Sequence, residues 1–258
     1  FVEMMKFIQK EDVSYDLIHS HYWFSGWVGL KMSSLLTIPH VVTFHTLAEI
    51  KQLAGGMEEP VERRETEAEL MIGATSIVVF TDEEARDLTQ NCPSLPHRIF
   101  VAPAGVDFDQ FKDVEITSAR ATLGFPSEIK LLLYVGRLDL FKGPDILVES
   151  LSVLRKTMDV ELIMVGGYGS TDPDVIRLMN LADRLGVQHA IYWQEAVPQD
   201  ALANYYNAAD LLVMPSYHES FGLVALEAMA CGTPVVASQV GSLKSLIVDG
   251  VTGSLVQG

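Results

Sequence analysis

The sequence has few cysteines and few basic residues, and each shortage excludes a class of protein. Two of its 258 residues are cysteine, Cys92 and Cys231, and they lie far apart with no CxxC spacing. This argues against a disulfide framework or a zinc site and favours a reducing, cytoplasmic setting. The 34 acidic residues outnumber the 18 basic ones, giving a formal net charge of −16. Because a protein that binds a nucleic-acid backbone needs a basic surface, we expect no nucleic-acid partner.

Long hydrophobic runs are also missing. No stretch reaches the roughly 18 consecutive apolar residues that cross a bilayer as a helix, and the opening FVEMMKFIQKED lacks the apolar segment of a signal peptide. We therefore expect a soluble chain with no transmembrane segment.

Short apolar runs alternate with amphipathic stretches along the chain. Nine runs rich in Val, Ile and Leu predict strands, among them VVTF (41–44), KLLLYV (130–135) and LLVM (211–214). Helix-like segments lie between them at 60–73, 143–157, 173–186 and 200–210. This order predicts parallel sheets with helices on both faces, so the predicted fold class is α/β.

A break in composition divides the chain. Residues 106–128 carry charges, Pro and Gly without the pattern of a long buried strand, which is typical of an inter-domain linker. We predict a first α/β domain at 1–110, a linker at 111–128 and a second α/β domain at 129–258. Each domain is short for a complete doubly wound sheet.

The loop after KLLLYV suits a diphosphate. The strand ends at Gly136-Arg137, and a helix is predicted to begin at Gly143-Pro144, with Pro at the favoured first position. A helix N-terminus offers N–H groups and a positive dipole end, and Arg137 and Lys142 add two cations. The alternative is a solvated loop with two ordinary basic residues.

A glycine loop, 166–169, follows the next strand, VELIMV. Gly166 permits close approach of the backbone to a ligand, although a turn between a strand and a helix also favours glycine. The loop matches neither a P-loop nor G-x-G-x-x-G.

Two glutamates surround the start of a later helix, in ESFGLVALEAMACGTPVVAS (219–238). Glu219 and Glu227 are eight positions apart, which is about 12 Å along a helix axis. Glycoside hydrolysis needs carboxylates roughly 5 to 9.5 Å apart, so these two are not one acid–base pair. Phe221-Gly222 is predicted to open the helix, with Glu219 in the loop before it and Glu227 about two turns inside. The pair suits a long ligand with hydroxyl groups at both ends, and the alternative is a surface loop glutamate together with a partly buried helical one.

Taken in order, these motifs resemble the nucleotide-sugar-binding domain of family 4 retaining glycosyltransferases, which have the GT-B fold of two Rossmann-like domains. The GR-x4-KG and E-x7-E patterns of that family are both intact here. The first half adds SHYWFSGWVGL (20–30), TFHTLAEIK (43–51) and APAGVDFDQF (102–111), which resemble the acceptor-domain signatures of the sucrose-phosphate synthase and glycosyl-inositol-phosphate synthase branch. The resemblance implies transfer of a hexosyl group, with retention of configuration, from a donor such as a UDP-, GDP- or ADP-hexose.

The resemblance also implies roles for single residues. It assigns Arg137 and Lys142 to the donor diphosphate, Glu219 to the transferred sugar and Glu227 to the ribose hydroxyls. His45 would lie beside the transferred sugar, at the C-terminal end of a strand, where ligands of open parallel sheets bind; a structural histidine is the alternative. The remaining donor-side residues are Gly136, Gly166 and the backbone N–H groups around Phe221, Gly222 and Leu223.

On the acceptor side the resemblance assigns Tyr22, Thr46 and Arg63. Arg63 would suit the phosphate of an anionic acceptor, while a helix-surface charge within Glu62-Arg63-Arg64-Glu65 is the alternative. The expected acceptor is a sugar, a polyol or a sugar phosphate.

No cofactor and no metal are expected. His19 and His21 have the period-two spacing of a strand and no third ligand at a suitable distance. Two D-x-D sequences occur, at 107–109 in the predicted linker and at 172–174 at a predicted helix start, where acidic residues favour the helix dipole. We interpret both as structural.

Two features depart from the family. The family usually has GGLPE after the last strand of the VVAS type, but this chain has GSLKS at 241–245, which lacks a glycine and the acid. The chain also opens within an apparent helix and ends before the helices that follow in relatives, so we expect a fragment with an incomplete N-terminal domain and without the C-terminal helices. A nucleotide-sugar epimerase, a phosphorylase of the same architecture and a non-catalytic sugar-nucleotide-binding module are the alternative functions.

Overall fold

The structure is a computed structural model, and it describes residues 1–53, 58–91 and 96–257. The chain divides into two compact units, Phe1–Ala104 and Gly105–Gly258. Each unit is built around its own parallel sheet, which confirms the predicted α/β class. Cys92 lies outside the described residues. None of the helices within the described ranges is long and apolar enough to span a membrane.

The first unit contains a parallel sheet in the order β1-β2-β3-β4 over its described residues. Its strands are β1 (Ile18–His21), β2 (His40–Thr43), β3 (Ser76–Val79) and β4 (Ile99–Val101). Its helices are α1 (Val2–Glu11), α2 (Tyr22–Leu36), α3 (Ala48–Leu53), α4 (Val61–Gly73) and α5 (Asp82–Asn91). Since the strands are parallel, their C-terminal ends all lie at one edge of the sheet.

The second unit contains a parallel sheet in the order β10-β9-β8-β5-β6-β7, again over the described residues. Its strands are β5 (Lys130–Val135), β6 (Val160–Val165), β7 (Ile191–Gln194), β8 (Leu211–Met214), β9 (Val235–Ser238) and β10 (Gly253–Val256). Its helices are α6 (Ile116–Leu123), α7 (Pro144–Leu154), α8 (Pro173–Arg184), α9 (Gln199–Ala208), α10 (Leu223–Ala230) and α11 (Leu243–Leu246).

Both faces of the second sheet are buried. On β5, Leu131 and Leu133 belong to one hydrophobic cluster, while Leu132 and Tyr134 belong to the cluster on the opposite face. This two-sided burial explains why the strand is apolar at consecutive positions rather than alternating. Each leucine that is removed from water in this way stabilises the fold by about 1.5 to 3 kcal/mol.

The direction in which strands are added reverses at β5. Strands β6 and β7 lie on one side of it, and β8, β9 and β10 lie on the other. In open parallel sheets the C-terminal ends of the two strands at such a reversal form a crevice where ligands bind. The loops that follow β5 and β8 are therefore where the fold itself favours a site.

The segment predicted as a linker, 111–128, is folded into the second unit. Phe111 is buried in the core, and the Arg120 side chain of α6 donates to the carbonyl oxygens of Ala208 and Ser127 at 3.0 and 2.6 Å. Arg120 also pairs with Asp210 at 2.7 Å. Arg120, a charge that resembles part of a linker in the sequence, thus has partners 88 and 90 residues away. The boundary between the units falls earlier, after Ala104.

Candidate functional site

The loops that follow β5 and β8 are joined by an ion pair. Nζ of Lys142 lies 2.6 Å from Oε2 of Glu219, and the two side chains are only 22% and 14% exposed. A backbone hydrogen bond of 3.0 Å from Tyr217 N–H to the carbonyl oxygen of Phe141 joins the same loops. One cation and one carboxylate that the sequence predicts to act together therefore meet at the point where the strand order reverses.

Arg137 is the exposed cation of this region. Its side chain is 69% exposed, and Nη1 lies 3.1 Å from Oδ2 of Asp139. Its backbone is fixed, because the buried Tyr134 hydroxyl donates to the Arg137 carbonyl oxygen. Burial raises the pKa of Tyr134, so this donor stays protonated. An exposed ion pair is worth about 0 to 1 kcal/mol, so Arg137 can exchange Asp139 for a stronger anion at little cost.

A helix begins immediately after these cations, as predicted. Gly143 is the N-cap of α7 in the left-handed conformation, with a φ of 66°, and Pro144 is the first helical residue. A short 3₁₀ turn, Leu140–Lys142, precedes it, and the Asp139 side chain caps that turn by accepting from Phe141 N–H at 3.0 Å. The dipole of α7 thus adds positive potential beside Lys142.

The glycine at the end of β6 has a packing role. Gly166 N–H donates to the Gln194 carbonyl oxygen at 2.9 Å, and a Cβ built on Gly166 would overlap the carbonyl oxygen of Gly136. The close approach of these two loops therefore accounts for Gly166 without a ligand. It brings the Gly136 turn, which carries Arg137, against the end of β6.

Glu219 lies in the loop before α10, as predicted. Gly222 caps this helix with a φ of 85°, a conformation that favours glycine, and Leu223 is the first helical residue. Phe221 is buried and Leu223 is exposed. The Glu219 carbonyl oxygen accepts from Ser242 N–H at 3.2 Å, so the loop that departs from the family pattern packs directly on Glu219.

Glu227 is the fifth residue of α10, a little more than one turn inside the helix rather than the two turns predicted. The difference arises because three loop residues separate Glu219 from the first residue of the helix. Glu227 is 6% exposed, and its oxygens accept from Gln199 Nε2 at 2.9 Å and from the Tyr206 hydroxyl at 2.7 Å. Because a carboxylate offers about four acceptor positions, this fixed group keeps capacity for a further donor.

Histidines gather at the C-terminal edge of the first sheet. Nδ1 of His21 lies 2.9 Å from Nε2 of His45, and His19 Nε2 lies 2.9 Å from Thr43 Oγ1. Burial lowers the pKa of His45, and His21 and His19 lower it further, which favours a neutral imidazole at neutral pH. Within the part of the chain that the structure describes, no group of three or more His, Cys, Asp or Glu side chains could hold a metal ion.

Two residues at this edge have unusual backbones. Tyr22 and His45 have φ angles of 73° and 62°, which are rare for bulky residues and cost about 1 to 3 kcal/mol each. The other non-glycine residues with positive φ in the described ranges, Asp12 and Thr37, are ordinary left-handed C-caps of α1 and α2. Tyr22 directly follows β1 at the start of α2, and His45 lies two residues after β2. Backbone strain of this kind is typical of functional sites.

Arg63 joins the predicted acceptor-side residues. It is 1% exposed, and Nε donates to Glu67 at 2.7 Å. Nη1 donates to the Tyr22 hydroxyl at 3.0 Å and to Glu59 at 2.9 Å, while Nη2 donates to the carbonyl oxygen and Oγ1 of Thr46 at 2.9 and 3.0 Å. All five N–H groups thus have partners. The alternative interpretation as a helix-surface charge is wrong, because Arg63 lies on the buried face of α4.

Three contacts at this edge were not predicted from the sequence: those of Arg63 with Glu59 and with Glu67, and that of His21 with His45. Glu67 lies four residues after Arg63 within α4, a spacing that brings side chains together on a helix, and Glu59 lies four residues before Arg63 in the segment that precedes this helix. That signal was present in the sequence. The contact of His21 with His45 had no local signal, because it depends on the pairing of β1 with β2.

The D-x-D carboxylates serve local turns. Oδ1 of Asp107 accepts from the backbone N–H groups of Asp109 and Gln110 at 2.9 and 3.3 Å. Asp172 caps α8 by accepting from Asp174 N–H at 2.9 Å, and its other oxygen accepts from Tyr168 N–H at 3.0 Å. These contacts support the structural interpretation of both sequences.

Glu84 is a partly buried carboxyl near the histidines. It accepts from Phe80 N–H at 2.9 Å and returns its own N–H to Thr81 Oγ1 at 3.1 Å, a reciprocal cap at the start of α5. The Phe80 ring lies 5.2 Å from the His45 ring. Burial, assisted by Asp87, raises the pKa of Glu84 from 4.5 to about 7.

This shift gives the first unit a pH dependence. The unfolded carboxyl loses its proton near pH 4.5 and the folded one near pH 7, so the free energy of unfolding should fall as the pH rises through that window. We expect Glu84→Gln, which keeps an acceptor for Phe80 N–H, to remove about 2 kcal/mol of this fall, allowing for partial screening by solvent. Urea unfolding at several pH values measures it. The exposed Glu69→Gln is the control, and parallel pH profiles for wild type and Glu84→Gln would contradict the assignment.

Comparison with known proteins gives consistent matches to both halves of the chain. Residues 115–258 match the family of glycosyl transferases group 1, and residues 1–110 match glycosyltransferase family 4. These matches confirm the resemblance that the motifs predicted.

Named relatives and a solved structure give the same result. The D-inositol 3-phosphate glycosyltransferase of Corynebacterium jeikeium (strain K411) is 39% identical over 99% of this chain and 63% of its own length. That of Arthrobacter sp. (strain FB24) is 42% identical over 95% of this chain and 59% of its length. Sucrose-phosphate synthase from Thermosynechococcus elongatus superposes with a TM-score of 0.87 at 31% identity, covering 98% of this chain and 63% of that one. The chain therefore spans about three fifths of these relatives.

Proposed function

Because the chain belongs to the glycosyl transferases of group 1, we propose that its protein transfers a hexosyl group from a nucleoside-diphosphate sugar to an acceptor hydroxyl, with retention of configuration. The observation that carries the proposal is the part-buried ion pair of Lys142 with Glu219, 2.6 Å apart at the reversal point of the strand order. Such a donor has an anionic diphosphate and a neutral sugar side by side. A cation and a carboxylate at one site match those two parts.

Each donor-side residue has a role that its chemistry suits. Lys142 and Arg137 bind the diphosphate, one as a point charge and the other as a fork. Glu219 accepts hydrogen bonds from hydroxyl groups of the hexose. Glu227, held rigid by Gln199 and Tyr206, accepts from the ribose hydroxyls. Gly136, Gly166 and the residues around Gly222 supply backbone rather than side chains.

The proposed reaction is a front-side displacement. The bond from the sugar C1 to the phosphate oxygen breaks, and a bond from C1 to the acceptor oxygen forms on the same face. The acceptor proton passes to the departing phosphate oxygen. The cations at Arg137 and Lys142, together with the N-terminus of α7, stabilise the charge that develops on the leaving group, and such preorganised electrostatic stabilisation is usually the largest catalytic contribution. The proposed reaction uses no resident metal or other cofactor.

We propose a phosphorylated polyol or sugar as the acceptor. The names of the relatives, D-inositol 3-phosphate glycosyltransferase and sucrose-phosphate synthase, support this class. Within the chain, the Arg63 cluster with Tyr22 and Thr46 is the buried cationic group at the sheet edge that also holds His45. A neutral His45 suits a hydrogen bond to a hydroxyl of the transferred sugar.

Labelled UDP-, GDP- and ADP-hexoses test the proposal when each is incubated with the full-length protein, candidate acceptors and EDTA. Transfer with retained configuration that persists in EDTA supports it. Isomerised donor would indicate an epimerase, phosphate-dependent breakdown a phosphorylase, and binding without turnover a non-catalytic module. Activity that disappears in EDTA and returns with a divalent ion would indicate a metal-dependent mechanism instead.

A further inference from the structure

Glu59 is one of the two carboxylates that pair with Arg63. Its Oε2 accepts from Arg63 Nη1 at 2.9 Å, and its Oε1 pairs with the Lys51 ammonium. The Glu59 side chain is 11% exposed and that of Lys51 is 32% exposed. Two cations from different segments therefore converge on a single carboxylate.

The other acidic partner of Arg63 has a different position in the fold. Glu67 lies inside α4, pairs with Arg63 Nε at 2.7 Å and also accepts from Ala48 N–H at 2.9 Å. Moving Glu67 would leave a buried backbone donor unpaired, at a cost of about 1 to 3 kcal/mol. Glu59 precedes α4, and both of its side-chain hydrogen bonds go to cationic side chains. Its displacement would therefore leave cations, but no buried backbone group, to be paired by an incoming anion.

We propose that Glu59 is a built-in competitor whose carboxylate occupies the place between Lys51 and Arg63 that the phosphate of an anionic acceptor takes. The identity of that ligand as the acceptor rests on the proposed function, whereas the anion site itself does not. Glu59 contacts each cation through one oxygen, Oε2 on Arg63 Nη1 and Oε1 on Lys51, and a phosphate also has separate oxygens that can accept from a guanidinium and an ammonium.

Charge decides which anions succeed in this exchange. A phosphate monoester carries about −1.5 to −2 at neutral pH, more than the single charge of Glu59. The hydrogen bond from Lys51, opposed by burial and reinforced by Arg63, lowers the pKa of Glu59, so the carboxylate is ionised under these conditions. A neutral hydroxyl compound or a monocarboxylate gains too little to displace it. Glu59 thereby selects phosphorylated acceptors over neutral ones.

Inorganic phosphate is the direct probe, because its binding requires no transfer reaction. In calorimetric titrations of the full-length protein, Glu59→Gln should bind phosphate about tenfold more tightly than wild type. Adding Lys51→Gln to this variant should remove most of the gain. Glu58→Gln is the matched control, because it removes the same charge from the neighbouring residue, whose side chain is 81% exposed and pairs with Arg64 at 3.3 Å. It should bind phosphate as wild type does.

Equal phosphate affinity in wild type and Glu59→Gln would overturn the proposal, as would an equal gain in Glu58→Gln. If Glu59→Gln fails to fold, Glu59→Asp replaces it, because the shorter side chain cannot reach both cations. Its phosphate affinity should rise a few fold, and an unchanged affinity would overturn the proposal. The proposed function fails separately. If Glu59→Gln binds phosphate more tightly but the protein transfers to no phosphorylated acceptor, the anion site is supported and the proposed acceptor class is wrong. If the protein transfers to a phosphorylated acceptor but Glu59→Gln leaves its phosphate affinity unchanged, only the role of Glu59 is wrong.

Discussion

Replacing Lys142 with alanine should weaken the binding of a nucleotide sugar and of the matching free nucleoside diphosphate by about 100-fold or more. The change removes a charge-assisted hydrogen bond to the diphosphate, worth about 1.5 to 3 kcal/mol, and each 1.4 kcal/mol is about tenfold in affinity. It also leaves Glu219, which lies 2.6 Å from Lys142 and is mostly buried, as an uncompensated negative charge beside the phosphates. Isothermal titration of the full-length protein with both ligands measures the loss.

The control for Lys142 is Lys156→Ala. Lys156 is an exposed residue just beyond the C-terminal end of α7, whereas Lys142 precedes its N-terminal end. An eleven-residue helix is about 16 Å long, so this control removes the same charge at a distance. Losses of similar size in the two variants would show a general charge effect and would remove Lys142 from the proposed site.

Glu219→Gln separates the two parts of the donor. The amide should weaken binding of the intact nucleotide sugar, because one acceptor oxygen for sugar hydroxyls is lost. Binding of the free nucleoside diphosphate should be unchanged or tighter, since Lys142 is no longer neutralised by its carboxylate partner. Equal losses for both ligands would contradict the role assigned to Glu219.

Arg120→Ala should lower the free energy of unfolding of the second unit by about 2 to 4 kcal/mol, because each buried acceptor that is left unpaired costs about 1 to 3 kcal/mol, while Asp210 keeps Lys130 as a partner. Arg120 is 4% exposed, and its loss leaves the Ala208 and Ser127 carbonyl oxygens and Asp210 without a shared donor. Hydrogen exchange of the amides of β5 and α9, recorded as a function of urea concentration, measures this free energy.

The same aspartate provides the control for Arg120. Lys130 pairs with Asp210 at 3.1 Å, but its side chain is 64% exposed, so Lys130→Ala should cost less than about 1 kcal/mol. A loss in Arg120→Ala no larger than that in Lys130→Ala would mean that the segment 111–128 contributes little to the second unit and behaves as the linker that its composition suggests.

Local sequence signals predict the strands, the helices and the fold class. Runs such as KLLLYV and VVTF lie within or overlap the strands β5 and β2, and the helix starts at Pro144 and Leu223 agree with the proline and glycine signals. These features are local, because side-chain periodicity and the φ preferences of glycine and proline act within a few residues. The spacing of motifs also predicts the family without any knowledge of tertiary contacts.

Which side chains meet depends on the tertiary structure. The buried place of Arg120, the two partners that fix Glu227, the contact of His21 with His45 and the five filled donors of Arg63 all depend on strand order or on helices packed together. The sequence around a charged residue does not indicate whether its side chain faces water or a buried partner. Its environment is set by segments up to about 90 residues away, because burial and charge pairing are properties of the assembled sheet and its layers of helices rather than of the local chain.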